Sequence, residues 1–381
     1  MSYLIENDLM MVEEEDFQRE IIYTQKNDGQ KLRGIDLFCG IGGFRLAMER
    51  NNIDCVFSSD IDSFAQKTYA ENFGEKPYGD ITKIEASEIP PFDILTAGFP
   101  CQPFSYSGLN QGFEDKTRGT LFFDILRIIE YHQPKMFFLE NVKGLKSHLN
   151  GETLQTIIKS LEEQGYSVKW NVLNSLDFGL PQARERWYCV GYKEDIDFQF
   201  PKGKRKGAVL KDIIDEYSNE NEKLKLGNWE TKMIDFHFEN VIEEKQRVEH
   251  DSSIYNPTSK KGRHGVFSFQ KADKALRFHV GDFAKTQVQE MFYACQDTYA
   301  PTIIAGRVPK LWDLQRKLSV LEATRLQGFP DNFQFPVSDA QAYKQLGNSV
   351  SVPVIEAILR KMVLTYNLSK LSNPISQNSN S

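Results

Sequence analysis

From residue 32 to residue 192 the chain alternates short apolar runs with segments of helical period. The runs "RGIDLF", "DCVFSS", "FDILTA", "KMFFLE" and "RWYCVGY" are bounded by polar or glycine-rich residues, which predicts buried strands. Between them "FRLAMERN", "SFAQKTYAENF", "LFFDILRIIEYH" and "TLQTIIKSLEEQ" space their apolar residues as amphipathic helices do. Such alternation predicts an α/β fold, a doubly wound mixed sheet whose ligands bind beyond the carboxyl ends of its strands. From 193 to 315 the rhythm lapses into charge runs ("KGKRKG", "NENEKLK"), single glycines and scattered aromatics, as expected of a smaller inserted domain. Helical order returns over 316–366. "SVLEATRL" places Ser319 and Glu322 at capping-box spacing, "SDAQAYKQL" repeats this with Ser338 and Gln341, and "PVIEAILRKMVLTY" opens on a proline suited to a first helical turn. The expected organisation is an acidic extension over 1–30, a main domain over 31–192, an insert over 193–315, a return to the main domain over 316–366, and a flexible polar tail over 367–381.

Composition narrows the classes. With 381 residues, 40% hydrophobic and 26% charged, the chain can bury a substantial core. No apolar run approaches membrane-spanning length, and the acidic start is unlike a secretion signal, so a cytoplasmic protein without membrane contact is expected. The five cysteines, at 39, 55, 101, 189 and 295, include no Cys-x-x-Cys pair, and the histidines lack ligand spacing; reduced thiols and no metal are expected. A net charge of −7 means that any polyanionic partner must be met by a local basic patch.

Candidate chemistry gathers at the strand ends. In "DLFCGIGGF" (36–44), Gly40, Gly42 and Gly43 follow a strand and precede a helix, where small residues let a ligand approach the backbone. The G-x-G-x-x-G spacing of dinucleotide enzymes is missing, which disfavours an oxidoreductase. Asp60 in "VFSSDID" ends the next strand, where an acid can accept hydrogen bonds from a ribose, and Asp80 in "YGDI" adds an acceptor near that edge. In "GFPCQPFSYSG" (98–108) Cys101 lies between Pro100 and Pro103, whose fixed φ angles stiffen the loop. A lone cysteine is ordinarily a small buried hydrophobe, but a stiff loop can aim a thiol. Glu140 ends the apolar strand "KMFFL", where withdrawal from water raises a carboxyl's pKa. Arg184 and Arg186 in "LPQARERWY" alternate before another strand, so both are expected on one face, suited to a carboxylate, a phosphate or a base carbonyl.

Taken in order, "DLFCGIGGF", "GFPCQPFS", "ENV", "QARER", "EATRLQGFPDNF" and "QAYKQLGNSVSVPV" resemble the motifs of the cytosine-5 DNA methyltransferases, most closely the bacterial restriction-modification type, over about 32–192 and 316–364. The resemblance implies a methyl group transferred from S-adenosylmethionine, leaving S-adenosylhomocysteine, to C5 of a flipped-out cytosine within a short specific duplex sequence. Cys101 is then the nucleophile at C6, Glu140 holds or protonates N3, Arg186 binds O2, and Arg184 orients the carboxylate or the loop. For the cofactor it implies Phe38 against adenine, Gly40, Ile41, Gly42 and Gly43 along the methionine portion, Asp60 and Ile61 at the ribose edge, Asp80 with Ile81 at adenine, Pro100 between cofactor and nucleotide, and Asn348, Ser349 and Val350 closing the pocket. The main domain becomes catalytic and cofactor-binding, and the insert becomes target-recognising. This sequence departs from the family's common residues with Cys39 in place of alanine or serine and Asp60 in place of glutamate.

Gln102, Ser105 and Ser107 are expected to close over the flipped nucleotide. In "TSKKGRHGVFSFQKADKALRFH" (258–279) the basic residues, with Lys260, Lys261 and Arg263 foremost, are expected to contact phosphates. "APTIIAGRVPKLW" resembles the family's recognition element at Thr302, with Arg307 assigned to guanine N7 and O6. The expected partners are double-stranded DNA and a cognate restriction endonuclease acting on the same sequence, with the enzyme a monomer. A tRNA cytosine-5 methyltransferase of the same fold is the alternative, disfavoured by the long insert and by the motif spellings. An inactive DNA-binding regulator ranks third, because the loss of Cys101, Glu140 or Arg186 would have been its mark and all three are present.

Overall fold

The apolar runs become strands close to their expected ends. The computed structural model describes residues 31–100, 121–203, 207–243, 246–250, 265–282 and 287–372. Its first strands are β1 (Arg33–Leu37), β2 (Asp54–Ser59), β3 (Ile94–Gly98), β4 (Met136–Val142), β5 (Ser167–Asn174), β6 (Gln182–Ala183) and β7 (Glu185–Tyr192). They form a sheet in the order β2-β1-β3-β4-β7-β5, while β6 stands apart. The first four strands are parallel and β7 runs antiparallel to both neighbours, so the sheet is mixed as expected. Chain order reverses between β1 and β3, the topological switch point beyond whose carboxyl ends open α/β sheets bind ligands.

Helices cover both faces: α1 (Gly43–Arg50), α2 (Ser63–Phe73), α3 (Leu121–His132) and α4 (Glu152–Glu163). Strand alternation sorts the core into two layers. Phe137 and Leu139 of β4 pack with Ile125, Ile128 and Ile129 of α3. Met136 and Phe138 pack on the other side with Ala47 and Met48 of α1. Helix ends follow local chemistry. Asp62 caps α2 by accepting from the Phe64 and Ala65 amides, and Gly74, at φ 73°, ends it in a left-handed conformation that costs glycine little.

Beyond residue 192 a second sheet forms around α5 (Asn228–Asn240). Its strands are β8 (Val248–His250), β9 (Gly265–Gln270), β10 (Leu276–Asp282) and β11 (Gln287–Ala294). After the short β12 (Ala300–Pro301), which pairs with β6, come β13 (Lys310–Leu311) and β14 (Arg316–Lys317), completing the order β14-β13-β11-β10-β9-β8. The chain then returns through α6 (Val320–Leu326), α7 (Asp339–Asn348) and α8 (Val352–Ser372). The Ser319–Glu322 capping box forms in full, with Ser319 N–H donating to Glu322 Oε2 at 2.7 Å and Glu322 N–H to Ser319 Oγ at 3.2 Å. Its counterpart at α7 forms only by half: Gln341 N–H reaches Ser338 Oγ at 3.4 Å, while Gln341 Oε1 is buried without a partner among the described residues. The last helix continues to Ser372, past the expected limit of 366, and lays Val354, Ile355, Ile358, Leu359 and Met362 on the sheet beside α1.

β5 carries no continuous apolar run. Its "SVKWNVLN" mixes polar and apolar residues because the strand lies at the sheet edge and is nowhere fully buried.

Candidate active site

Register sets the centre of the site. Gly98 at the end of β3 pairs with Glu140, and across β4 and β7 Glu140 faces Tyr188 while Val142 faces Arg186. Glu140 and Arg186 are therefore diagonal neighbours on one face, within reach of long side chains. Arg186 Nε stands 3.2 Å from Glu140 Oε1, with both side chains largely buried. Burial pushes the Glu140 carboxyl up from its ordinary range, against the opposing pull of Arg186 and Arg184.

Arg184 and Arg186, expected on one face, have different partners: Arg186 meets Glu140, and Arg184 bonds backbone carbonyls of 303, 347 and 349. Arg184 precedes β7 and is 2% exposed. Its guanidinium donates to the Ile303 carbonyl at 3.0 Å, the Gly347 carbonyl at 3.3 Å and the Ser349 carbonyl at 2.5 Å, and its Nε has no partner among the described residues. Burial, with the charge of Arg186 beside it, brings the guanidinium down to about 9. Alternation placed the two arginines on one side, but the break between β6 and β7 turns Arg184 inward to the chain's return.

Beyond β3 the chain passes through buried Phe99 to exposed Pro100. The Asn141 side-chain amide donates to the Phe99 carbonyl at 3.0 Å, so the strand that carries Glu140 also pins the entrance to the cysteine loop. Cys101, Gln102, Ser105 and Ser107 lie outside the described residues, as do Lys260, Lys261 and Arg263.

The turn after β1 is shaped by backbone conformation. Phe38 and Gly40 have φ of 57° and 55°, and Gly42 has 87°. A non-glycine residue in that region, as at Phe38, needs support from its surroundings. Asp60 supplies it: its Oδ2 accepts from Gly40 N–H and its Oδ1 from Asp62 N–H, both at 2.8 Å. The acid expected to meet a ribose also buttresses the glycine turn, and burial raises its pKa. Open space surrounds Gly40, whereas a Cβ at Gly43 would fall 2.6 Å from Val350 Cγ2 and 3.3 Å from Ser349 Oγ. Gly43 is thus the point where 349–350 close on the turn. Val350 also reaches toward Gly98, in whose neighbourhood Glu140 Oε2 lies.

The remaining expected residues divide by exposure. Ile41 and Ile81 are buried and pack their side chains into the core. Asp80 Oδ1 accepts from Thr82 N–H at 3.1 Å and from Thr82 Oγ1 at 2.8 Å, bonds that hold its carboxyl below the usual range. Ile61 is 74% exposed, and Asn348 is exposed at the end of α7. Composition and spacing did not single out Tyr78, which is also exposed and stacks on Phe57 at 4.7 Å. Apolar surfaces this bare beside an acid and a glycine turn suit a flat ring. The signal for Tyr78 was its place in "YGDI".

Thr302 donates its hydroxyl to the Ala183 carbonyl at 2.6 Å, so it bonds the short strand β6. Arg307 is exposed at the end of a tight Ile304–Arg307 hairpin, beside a cleft of about 130 Å³ that Phe292 and Lys310 also line. Of the remaining basic residues in the 258–279 run, Lys274 pairs with Asp297 at 3.1 Å and Arg277 packs over Phe292 at 3.6 Å.

Comparison with known proteins identifies the family. A family model described as C-5 cytosine-specific DNA methylase matches residues 32–364. The chain belongs to the C-5 cytosine-specific DNA methylases. It is 43% identical over 335 residues to the Type II methyltransferase M.NlaX of Neisseria lactamica, covering 86% of this chain and 95% of that protein. To M.HpaII of Haemophilus parainfluenzae, also a Type II methyltransferase, it is 42% identical over 372 residues, covering 95% and 97%. Among solved structures, the S. pombe Dnmt2 methyltransferase matches with a TM-score of 0.60 at 18% identity, covering 90% of this chain and all of that one, a likeness of fold. As a member of this family the chain is an S-adenosylmethionine-dependent DNA cytosine-5 methyltransferase of the restriction-modification type.

Proposed function

We propose that this enzyme methylates C5 of one cytosine within a short duplex sequence, through a covalent bond between Cys101 and C6 of the flipped base. The observation that carries the reading is the buried Glu140–Arg186 pair, where β4 ends and the antiparallel β7 begins, directly beside the strand that leads to Cys101. The Cys101 thiolate adds to C6, and the electron pair displaced from the C5–C6 bond moves into the ring. Glu140, its proton held by burial, donates to N3 and neutralises that charge, while Arg186 holds O2. S-adenosylmethionine, when bound, supplies an electrophilic methyl group for C5. The N3 proton returns to Glu140, and loss of the C5 proton to a base then expels the Cys101 thiolate and restores the aromatic ring.

The chain fits that cofactor. The open space at Gly40, the Gly43–Val350 contact, the second lone pairs of Asp60 and the bare faces of Ile61 and Tyr78 form a cradle at the topological switch. In it Phe38, Ile61 and Tyr78 flank the adenine, with the Asp80 and Ile81 backbone at its edge. Asp60 takes the ribose hydroxyls, and the 40–43 backbone with Asn348, Ser349 and Val350 encloses the methionine portion, with Pro100 between this pocket and the nucleotide. Residues 31–192 and 316–366 form the catalytic unit, and 193–315, with Thr302, Arg307 and the 260–263 lysines and arginine, reads the duplex. The protein acts as a cytoplasmic monomer beside an endonuclease of the same specificity.

Incubation of the purified protein with S-adenosylmethionine and, separately, unmethylated genomic DNA or tRNA, followed by base-resolution mapping of 5-methylcytosine, tests the reading. Modification of DNA at one recurring short sequence is the expected result. Modification of tRNA alone, or of neither, refutes it.

A further inference from the structure

Two buried glutamines join segments that lie far apart in the chain. Gln182, at the start of β6, accepts the Ile303 N–H on its side-chain oxygen at 3.0 Å. Its side-chain nitrogen donates to the Leu326 carbonyl at 3.0 Å and to Gln327 Oε1 at 3.1 Å. Gln327 in turn donates to the Leu346 carbonyl at 2.5 Å, and its own carbonyl accepts the Val352 N–H at 3.0 Å. Both glutamines are fully buried. Breaking any of these bonds leaves a donor or acceptor without water to replace the partner.

The relay has a parallel strut and no slack. Arg184 bonds the Ile303 carbonyl on one side and the Gly347 and Ser349 carbonyls on the other. A Cβ at Gly347 would stand 2.3 Å from the Ile304 carbonyl carbon and 2.4 Å from Ala305 N. The 303–307 hairpin therefore cannot shift against 346–350 without breaking these bonds or this close approach.

We propose that Gln182 and Gln327 couple DNA reading to cofactor capture. This rests on the methyltransferase reading, in which 302–307 meets the duplex and 348–350 the cofactor. Because the network holds the two segments as one body, a ligand that selects one placement of either segment selects the matching placement of the other, so the second ligand binds a site already arranged. Linkage then requires the target duplex to tighten cofactor binding by the same factor as the cofactor tightens duplex binding. Neither glutamine touches a ligand; they are positioning residues.

Calorimetric titration of S-adenosylhomocysteine into the full-length protein tests this, done alone, with a duplex carrying the mapped site, and with a scrambled duplex. In the wild type the site-bearing duplex should tighten binding at least about fivefold, the lower end of ordinary couplings, and the scrambled duplex should not. In Gln327→Met and in Gln182→Met that ratio should fall to within about twofold of unity, and the double variant should lose no more than either single one, because both break one relay. A wild-type ratio near unity, or one retained in both variants, overturns the inference. Should the variants fail to fold, hydrogen exchange on the wild type decides. S-adenosylhomocysteine alone should slow exchange over 300–307 and the duplex alone over 346–352, and the absence of either cross-protection overturns it. The methyltransferase reading fails separately, by the absence of any mapped site.

Discussion

Replacing Glu140 with glutamine tests the centre of the mechanism. The substitution keeps the size of the side chain and its capacity to donate a hydrogen bond to N3, but removes the proton that can be transferred. General acid catalysis contributes roughly 10²- to 10⁴-fold, which at about 1.36 kcal/mol per decade is ~2.7–5.4 kcal/mol of transition-state stabilisation. The fold should survive, because glutamine keeps a side-chain oxygen that can accept from Arg186 across the same 3.2 Å, and Arg186, 13% exposed, keeps its bond to the Glu185 carbonyl. Single-turnover methyl transfer at saturating cofactor and duplex separates the chemical step from product release. Glu140→Gln should slow that step at least about a hundredfold while changing duplex affinity less than about threefold. The pH profile adds an independent reading. A carboxyl held above its usual range donates until pH rises through its pKa, so the wild-type rate should fall on the alkaline side, and that limb should vanish in the variant. Equal losses in duplex binding and in rate, or an alkaline limb unchanged by the substitution, would refute Glu140 as the proton donor and leave it a structural acid.

Cys101→Ser should abolish turnover and keep S-adenosylhomocysteine binding by calorimetry; persistent methylation removes the thiol from its assigned role. Asp36 is wholly buried beneath the glycine turn, and burial pushes its carboxyl up to about 8 from an ordinary 3.8. The folded state thus binds more protons than the unfolded one between those values, and stability falls as pH rises through that window, by about 1.4 kcal/mol per unit of separation at most. Asp36→Asn should flatten the decline in melting temperature between pH 5 and pH 8, and an unchanged slope would place the titration elsewhere. Arg316 and Glu322 form a buried bidentate pair, with both bonds at 2.7 Å, so Glu322→Gln should cost about 3–5 kcal/mol in denaturant unfolding; a loss below about 1 kcal/mol contradicts an uncompensated charge. Alanine at Lys260 and Lys261 should lower the slope of log duplex affinity against log salt by about 0.9 for each phosphate no longer neutralised, and an unchanged slope means those lysines meet no phosphate.

The sheet was legible because its determinants are local. "DCVFSS" and "LFFDILRIIEYH" carry their own period, and the elements they form have the boundaries those runs predict. Each buried strand ends where its apolar run gives way, so Glu140, Asp60 and the glycine turn could be put at one edge before any packing was known. The capping box at Ser319 is equally local, since its partners are three residues apart. What the chain cannot express locally is which of two alternating arginines meets Glu140. Arg184 finds Gly347 across 163 positions, and only the crossing of β6, the 304–307 hairpin and α7 decides that bond. The same holds for Gln182 and Gln327, unremarkable as residues and significant only once buried against each other. β5 lacks the apolar signature because an edge strand need not be apolar. Sequence by itself determined the elements, the family and the chemical groups, since these depend on periods and motifs of a few residues. Tertiary structure alone decided which buried donor meets which acceptor, because a polar group withdrawn from water must take whatever partner the packing of distant segments supplies.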